Sequence, residues 1–442
     1  MGIQLNHEKQ QITSLQFYKR SPIPYIWRFI LKMDFSEGNY RIQGIPVSQL
    51  VEDFGTPLYV YDGNKIHAQV QRLKSAFSAT RIRVKYAAKA LTSISILKLI
   101  RKAGADIEVV SLQEGDLALR AGFKPEEITF TPSGVHFSEI EEAVAKGFAV
   151  NIDNLSSLKK FGEKFGNTYG CGIRLNPHIL AGGNLKISTG HANSKFGISV
   201  EQLPAILDVV GQYSIPVLGL HIHTGSDITD SSVFLQMADI LFDAAQHFKN
   251  LRFIDFGSGF KVAYKEGDKV TDIEELGQRL SEVFNRFCEQ YGTPLELWVE
   301  PGKFLVSESG AFLVEVSVVK QTSATTFVGV NSGLNHLIRP MMYDAYHHII
   351  NVSNPAGPVQ TYSVVGYICE TDTFGADRKL NEVREGDILA MKNAGAYCFS
   401  MSSNYNSRLK PAEVLVLDGK AHLIRKRERF EDLLNNQILL DI

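Results

Sequence analysis

The chain has 442 residues, 44% of them hydrophobic and 21% charged, an ordinary globular composition that excludes global disorder, collagen and coiled coil. Against 48 Asp and Glu stand 46 Lys and Arg, a formal net charge of −2, so no surplus of positive charge points to nucleic acid or an anionic membrane as partner. At roughly 150 residues per domain the length suits three domains, or two if one is a large barrel.

The four cysteines, Cys171, Cys288, Cys369 and Cys398, are far apart and form no Cys-x-x-Cys pair. That fits a reducing compartment better than a zinc knuckle or a disulfide framework. No apolar run reaches the roughly 18 residues that span a bilayer. Tyr25 to Met33 is interrupted by Arg28 and Lys32, too short and badly flanked for a signal peptide. Gly2 is followed by Asn6 where myristoylation needs Ser or Thr. The expected location is the cytoplasm.

Residues 1–35 read as an N-terminal extension broken by Ser21-Pro22-Ile23-Pro24. Residues 36–59 carry strand-like runs and are expected to join a β domain. Over 60–305 short apolar runs alternate with helical patterns. The runs centre on Lys85, Glu108, Thr129, Asn151, Ile173, Gly219, Ile254 and Trp298, eight in all. Ser138 to Glu141 and Ser199 to Gln202 have capping-box form and predict helix starts. Eight strand–helix repeats suit a parallel sheet closed into a (β/α)8 barrel, although an open doubly wound sheet would give a similar pattern. Over 306–442 the pattern turns β-rich. Strands are expected at Phe312–Gln321, Phe327–Asn331, Tyr362–Tyr367, Ile388–Met391, Ala396–Met401 and Glu413–Arg425, the last turning at Asp418-Gly419. A short helix is expected near Phe430 to Asn435. The fold class is therefore α/β plus β, a TIM-type barrel followed by a β domain.

Barrel sites lie at the C-terminal ends of the strands. The first strand ends in Tyr86-Ala87-Ala88-Lys89-Ala90. Desolvation there can depress a lysine's pKa, and a neutral amine can form a Schiff base. Lys85, four residues earlier, is expected to pair with an acid at the lower mouth unless a bulge changes the strand's parity. The sixth strand ends in His221-Ile222-His223-Thr224-Gly225-Ser226. Either His-x-His holds a metal, with Asp255 and Glu300 as further ligands, or one imidazole packs on an aromatic cofactor while Ser226 approaches a phosphate. The seventh ends in Gly257-Ser258-Gly259, whose backbone N–H groups can crowd around an anion. The eighth ends in Glu300-Pro301-Gly302-Lys303. A carboxylate there can hold a proton on a cofactor ring nitrogen and strengthen an electron sink.

An amine, an imidazole, a phosphate cradle and a carboxylate on one rim make the kit for pyridoxal phosphate. On these motifs the chain resembles the fold-type III pyridoxal-phosphate decarboxylases from about residue 40 to about residue 425. The resemblance implies that Lys89 carries the cofactor and that His223 stacks on its ring. Ser226, Gly257, Ser258, Gly259, Glu300, Pro301, Gly302, Lys303 and Tyr397 would hold the rest of it. Arg174-Leu175-Asn176-Pro177, Thr189-Gly190 and Ser194 to Gly197 fit the family's middle region. Asn335, Arg339, Pro340 and Tyr343 match its Asn-x-x-x-Arg-Pro-x-x-Tyr stretch, implying substrate binding by Arg339 and Tyr343. Gly366 to Glu370 with Asp372 matches its Gly-x-x-Cys-Glu-x-x-Asp segment. Cys369 would be the proton donor there, and Glu370 would face the substrate's far amino group. Gly395-Ala396-Tyr397 and Tyr405-Asn406 complete the set, with Tyr397 and Lys303 also near the substrate.

The resemblance further implies an alanine-racemase-like architecture and a homodimer with sites at its interface. The implied reaction is decarboxylation of meso-diaminopimelate to L-lysine. Rival readings are a sister decarboxylase acting on ornithine, arginine or carboxynorspermidine, a His-x-His metal-dependent hydrolase, and a non-enzymatic homologue. Four positions depart from the family. Ser258 replaces a usual glycine, Lys303 a usual arginine, and Val135 and Tyr367 replace commoner residues.

Overall fold

The computed structural model describes residues 33–442 apart from 180, 183–188 and 192. Residues 1–32, most of the expected N-terminal extension, lie outside the described residues. Eight parallel strands occupy the eight predicted places: β1 Ile82–Ala87, β2 Asp106–Val109, β3 Ile128–Phe130, β4 Ala149–Ile152, β5 Cys171–Asn176, β6 Val217–Ile222, β7 Phe253–Asp255 and β8 Glu296–Val299. Each pairs with its chain neighbour, and β8 returns to β1 with Leu297, Trp298 and Val299 opposite Ile82, Arg83 and Val84. The sheet is closed, which decides between the barrel and the open sheet. Its strands carry buried Ile107, Val109, Ile128, Phe130, Ile173, Leu220, Ile254 and Leu297, as expected of a parallel sheet covered on both faces.

Polar residues punctuate these apolar strands at matching register. Glu108 lies opposite Thr129. Arg174 lies opposite His221, and His221 opposite Asp255. All five are buried. Paired residues in a parallel ladder share a face of the sheet, so these groups form a polar layer rather than isolated charges.

Two helix starts differ from the capping-box expectation in detail. The helix Phe137–Ala145 begins before Ser138, with His136 as its cap residue and no side-chain cap bond. Phe137 packs against the core, which draws the first turn ahead of the serine. Ser199 does cap, its Oγ accepting from the Glu201 N–H at 3.1 Å. What it caps is a 3-10 turn, Val200–Gln202, leading into the helix Leu203–Tyr213.

A second sheet runs in the order Thr373–Asn381, Val359–Val365, Thr326–Val330, Gly310–Gln321, Leu58–Asp62, Ala412–Leu417, Lys420–Arg425. Ile388–Lys392 pairs with Gly310–Gln321 and with Ile349–Asn351. Leu58–Asp62 precedes the barrel in sequence yet sits in this sheet, between Gly310–Gln321 and Ala412–Leu417. Its alternation assigns Tyr59 and Tyr61 to the large core shared with the barrel, and Leu58 and Val60 to a smaller core with Ala311, Leu313 and Val414. The hairpin turns where expected, with Asp418 at φ 50° and Gly419 at φ 72°, the left-handed pair that a two-residue hairpin demands.

One strand expectation is corrected. Ala396–Met401 is a turn followed by the 3-10 helix Phe399–Met401. Tyr397 adopts φ 57°, which no strand tolerates, and its N–H donates to the Ala90 carbonyl at 2.9 Å. The bond ties the β domain to the end of β1. Among the described residues no helix is long and apolar enough to cross a membrane.

Candidate active site

β1 stops at Ala87, and Ala88–Ala90 forms a single 3-10 turn, so strand parity does not carry from Lys85 to Lys89. Lys85 is buried, 3.7 Å from Asp106 and 4.1 Å above the Trp298 ring. Burial pushes its amine down, with Asp106 opposing. Lys89 opens instead onto the rim. Its side chain is 39% exposed, and its Nζ lies 2.7 Å from Glu108 Oε2. The expected depression of the Lys89 amine is corrected here. Burial works downward, but the charges of Glu108, Tyr397 and Glu300 outweigh it and raise the pKa above the usual lysine value. Glu108 is itself pushed up to about 7, chiefly by burial, with Lys89 pulling it down and Glu300 pushing it up. Sequence reasoning missed Glu108. Its signal was a carboxylate inside an otherwise apolar parallel strand.

The two histidines after β6 take separate tasks. His221 is buried with Nε2 3.1 Å from Glu300 Oε2. The donor atoms of His221, Asp255 and Glu300 lie within 4.8 Å of one another, and His223 is not part of that group. The structure therefore does not join the His-x-His pair in one ligand set. Within the buried cluster, burial first and the Glu300 charge second raise Asp255 well above the carboxylate range. Glu300 goes the other way. Burial would raise it, but His221, Lys89 and His223 hold it well below that range. The two carboxyls are thus pushed apart, Asp255 towards its protonated form and Glu300 towards its charged one, as expected when two carboxyls share a dry site.

His223 stands beyond the end of β6 and accepts at Nδ1 from the Ser258 N–H at 3.3 Å. Burial, then the charges of Arg174 and Lys89, push its imidazole down to about 3, so it presents a neutral ring. Thr189 braces this strand end, donating from N–H to the Thr224 carbonyl at 3.0 Å and from Oγ1 to the His223 carbonyl at 2.8 Å. Arg174 rests 4.7 Å from the centre of the Phe196 ring.

The glycine loop follows β7. A Cβ on Gly257, at φ 58°, would lie 2.7 Å from the Ile222 carbonyl oxygen and 2.8 Å from His223 Nδ1. One on Gly259, at φ 121°, would lie 2.6 Å from the Gly225 carbonyl oxygen. Both positions need glycine. Ser258 is not among the residues with positive φ, so the serine carries no backbone strain. Lys303 reaches Asp227 Oδ1 at 2.7 Å, a partner the motif did not announce. Gly302 lets the loop after β8 approach Ala87, Ala90 and the Tyr397 hydroxyl, and the Pro301 carbonyl accepts from the Ala87 N–H at 3.2 Å.

Lys89, His223, Ser226, Ser258, Gly259, Glu300, Gly302, Lys303 and Tyr397 line one cavity. Gly257 and Pro301, expected with them, do not line it but adjoin in sequence Ser258, Glu300 and Gly302, which do. Arg339, Tyr343, Cys369 and Glu370 do not line it. Arg339 is buried, with its NH1 3.0 Å from the Tyr264 hydroxyl, and it interacts with Cys398, the neighbour of Tyr397. Tyr343 is half-buried, its hydroxyl 3.2 Å from Met401 Sδ. Cys369 and Glu370 are exposed, and Glu370 accepts a hydrogen bond from the Tyr405 hydroxyl. Asp372 is buried beneath them and accepts from the N–H groups of Leu334 at 2.6 Å and Ile368 at 2.8 Å.

The cavity suits an aromatic phosphate bearing an aldehyde. The glycines let the loop after β7 pack against Ile222, His223 and Gly225, which brings Ser258 and Gly259 to the cavity wall beside Ser226 and Lys303. The buried Glu300 has an oxygen, Oε1, with no hydrogen-bond partner, an acceptor for a protonated ring nitrogen. A neutral imidazole flanks the cavity, and two lysines line it, Lys89 beside Glu108 and Lys303 beside Asp227.

Comparison with known proteins agrees with this geometry. Residues 63–307 match the family model for the pyridoxal-dependent decarboxylase, pyridoxal binding domain. A diaminopimelate decarboxylase of Methanothermobacter thermautotrophicus is 37% identical over 411 residues, 91% of this chain and 96% of that protein. Among solved structures, diaminopimelate decarboxylase from Methanocaldococcus jannaschii in complex with L-lysine superposes with a TM-score of 0.84. It is 31% identical, covering 92% of this chain and 97% of that one. The Helicobacter pylori enzyme complexed with L-lysine gives a TM-score of 0.81 at 31% identity, covering 88% and 98%. The chain belongs to the diaminopimelate decarboxylase family of pyridoxal-dependent decarboxylases.

Proposed function

We propose that the protein is a carboxy-lyase that converts meso-2,6-diaminopimelate to L-lysine and CO2, the last step of lysine biosynthesis, in the cytoplasm. The observation that carries this reading is the convergence of Lys89, His223, Glu300 and the glycine loop on one cavity, in a chain of that family. Bound pyridoxal phosphate supplies an electron sink for the charge left at the substrate's α-carbon when CO2 departs.

The chain's own groups do the rest. Lys89 anchors the cofactor, and Glu108, 2.7 Å away, is placed to take a proton from its amine. A carboxyl pushed to about 7 is poised to accept and return that proton near neutral pH. Glu300, kept ionised by His221, holds a proton at the ring nitrogen. The Gly259 N–H, with Ser226 and Lys303, is placed to take the phosphate, while the Gly257 and Ser258 N–H groups are held by Asp255 and His223 and fix the loop. The neutral His223 ring would flank the cofactor and keep water from it, and Tyr397 closes the cavity from the β domain.

Substrate choice is electrostatic. Meso-diaminopimelate carries a second amino-acid centre, which needs a cation for its carboxylate and an anion for its ammonium. Arg339 supplies the first and Glu370 the second. Such a site rejects analogues lacking these groups, because its charges would stay unpaired. Cys369 is the proton donor to the new carbon–hydrogen bond. Its exposure, with that of Glu370, favours a homodimer in which each chain lends this loop to the other's cavity. Arg339 and Tyr343 stay with their own chain's cavity.

The test is lysine formation from meso-diaminopimelate with added pyridoxal phosphate, wild type beside Lys89→Ala. Lysine from the wild type alone supports reaction, substrate and anchor together. No lysine, with a pyridoxyl group trapped on Lys89 by borohydride, would move the substrate to that of a sister decarboxylase. Neither lysine nor trapped cofactor would overturn the reading.

A further inference from the structure

We infer that His347 is a positioning residue that aims the Arg339 guanidinium at the substrate's distal carboxylate. The inference rests on the proposed role of Arg339 and extends it to a residue that no motif singled out. His347 is 1% exposed and Arg339 6%. His347 Nδ1 lies 2.9 Å from the Lys392 carbonyl oxygen. A carbonyl only accepts, so Nδ1 carries the proton and Nε2 presents a lone pair. Arg339 NH1 sits 3.2 Å from that Nε2 and 3.0 Å from the Tyr264 hydroxyl oxygen. Both hydrogens of NH1 thus have an acceptor. Tyr264 is held in turn by the Ser307 hydroxyl at 2.8 Å, and its ring meets His347 edge-on at 5.5 Å between centroids.

The consequence is a guanidinium with NH1 tied and Nε unclaimed. Arg339 Nε is buried and has no hydrogen-bond partner. The Nε edge is the planar fork that matches a carboxylate bidentately, and the guanidinium also interacts with Cys398, adjacent in sequence to the cavity-lining Tyr397. A cationic His347 could not do this work, since it would have no lone pair and would repel Arg339. Burial, then the Arg339 charge, push the imidazole down to about 3, so it remains an acceptor throughout the working pH range. The three parts come from three places: Tyr264 from beyond β7, Arg339 from the short helix Arg339–Tyr343, and His347 from just before Ile349–Asn351. The aim of the fork is therefore set by how the two domains dock.

The experiment uses the cofactor-loaded enzyme and compares His347→Phe, His347→Gln, Arg339→Ala and the double variant Arg339→Ala/His347→Phe. His347→Phe should raise KM for meso-diaminopimelate about tenfold or more, as expected for losing an acceptor to a charged group, with kcat within about threefold. His347→Gln, which keeps an acceptor within reach, should restore most of the loss. Inhibition by cadaverine, a diamine with no carboxylate, should be unchanged. In the Arg339→Ala background, His347→Phe should add less than about threefold, because the two residues act as one unit. Equal losses for substrate and cadaverine, additive losses, or an unchanged KM would overturn the inference and leave His347 a packing residue. If Arg339→Ala itself leaves KM unchanged, the underlying reading of Arg339 fails instead. Should His347→Phe not fold, His347→Asn replaces it, keeping the bond to the Lys392 carbonyl but stopping short of Arg339.

Discussion

The rim around Lys89 and the loop carrying Cys369 and Glu370 are opposites. On the rim, Lys89 faces Glu108, His221 faces Glu300, His223 faces Ser258 and Lys303 faces Asp227, all within one chain. The loop hides its anchor and shows its chemistry. Asp372 is 6% exposed and fastens two backbone N–H groups, while Cys369 and Glu370 look outward. A loop tethered this firmly is not idle surface. The rim is organised before anything binds, whereas the loop has the form of a part waiting for a second surface.

Substitutions can break this contrast, and the largest effect is expected on the rim. Lys89→Ala should lower kcat by on the order of a thousandfold or more, the usual loss of an essential nucleophile, and abolish borohydride trapping. Next comes the loop. Cys369→Ala should lower kcat about a hundredfold, the range for a lost proton donor. Because the side chain is exposed, unfolding free energy should stay within about 0.5 kcal/mol of wild type. A large loss of stability would mean that the loop is structural and would blur the contrast.

A third, smaller effect separates the regions by pH. His223 is neutral in the fold, pushed down to about 3 by burial and then by Arg174 and Lys89, whereas the unfolded chain protonates it near the ordinary 6.5. Between these values the unfolded state holds one more proton. The contribution of His223 is thus complete above pH 6.5 and is lost as pH falls towards 3. Urea titrations of cofactor-free protein across that window should find the pH slope of stability reduced in His223→Phe by up to about 1.4 kcal/mol per pH unit. An unchanged slope would mean that His223 is not held neutral in the fold. The smallest effects belong to the departures from the family. Lys303→Arg should change kcat/KM by no more than about threefold, because Lys303 already has Asp227 as partner. Ser258→Gly should leave stability within about 0.5 kcal/mol.

Legibility divides along similar lines. The barrel strands stood out because each is a short apolar run between helical patterns, and covered parallel strands need such runs. Lys89, His223, Glu300 and the glycine loop could be read from strand ends. Glu108 was passed over despite its charge, because it lies inside a run whose other members made it look like core. The direction of the Lys89 pKa depended on that same unseen carboxylate. Tyr397 was read as part of a strand, since nothing in Ala396–Met401 announces a positive φ that depends on a bond to Ala90. His347 and Tyr264 were silent because their meaning lies in two domains touching. The closure of the barrel also had to come from the structure, since only the pairing of β8 with β1 decides it.

The most direct test of a cavity from one chain completed by the loop of another is to mix two inactive variants, Lys89→Ala and Cys369→Ala. If each site takes its lysine from one chain and its cysteine from the other, random pairing makes half the dimers mixed, each with one intact site. Activity should then return to about a quarter of wild type. Mixed dimers that form but stay as inactive as either parent would contradict the account and place both groups in the site of a single chain.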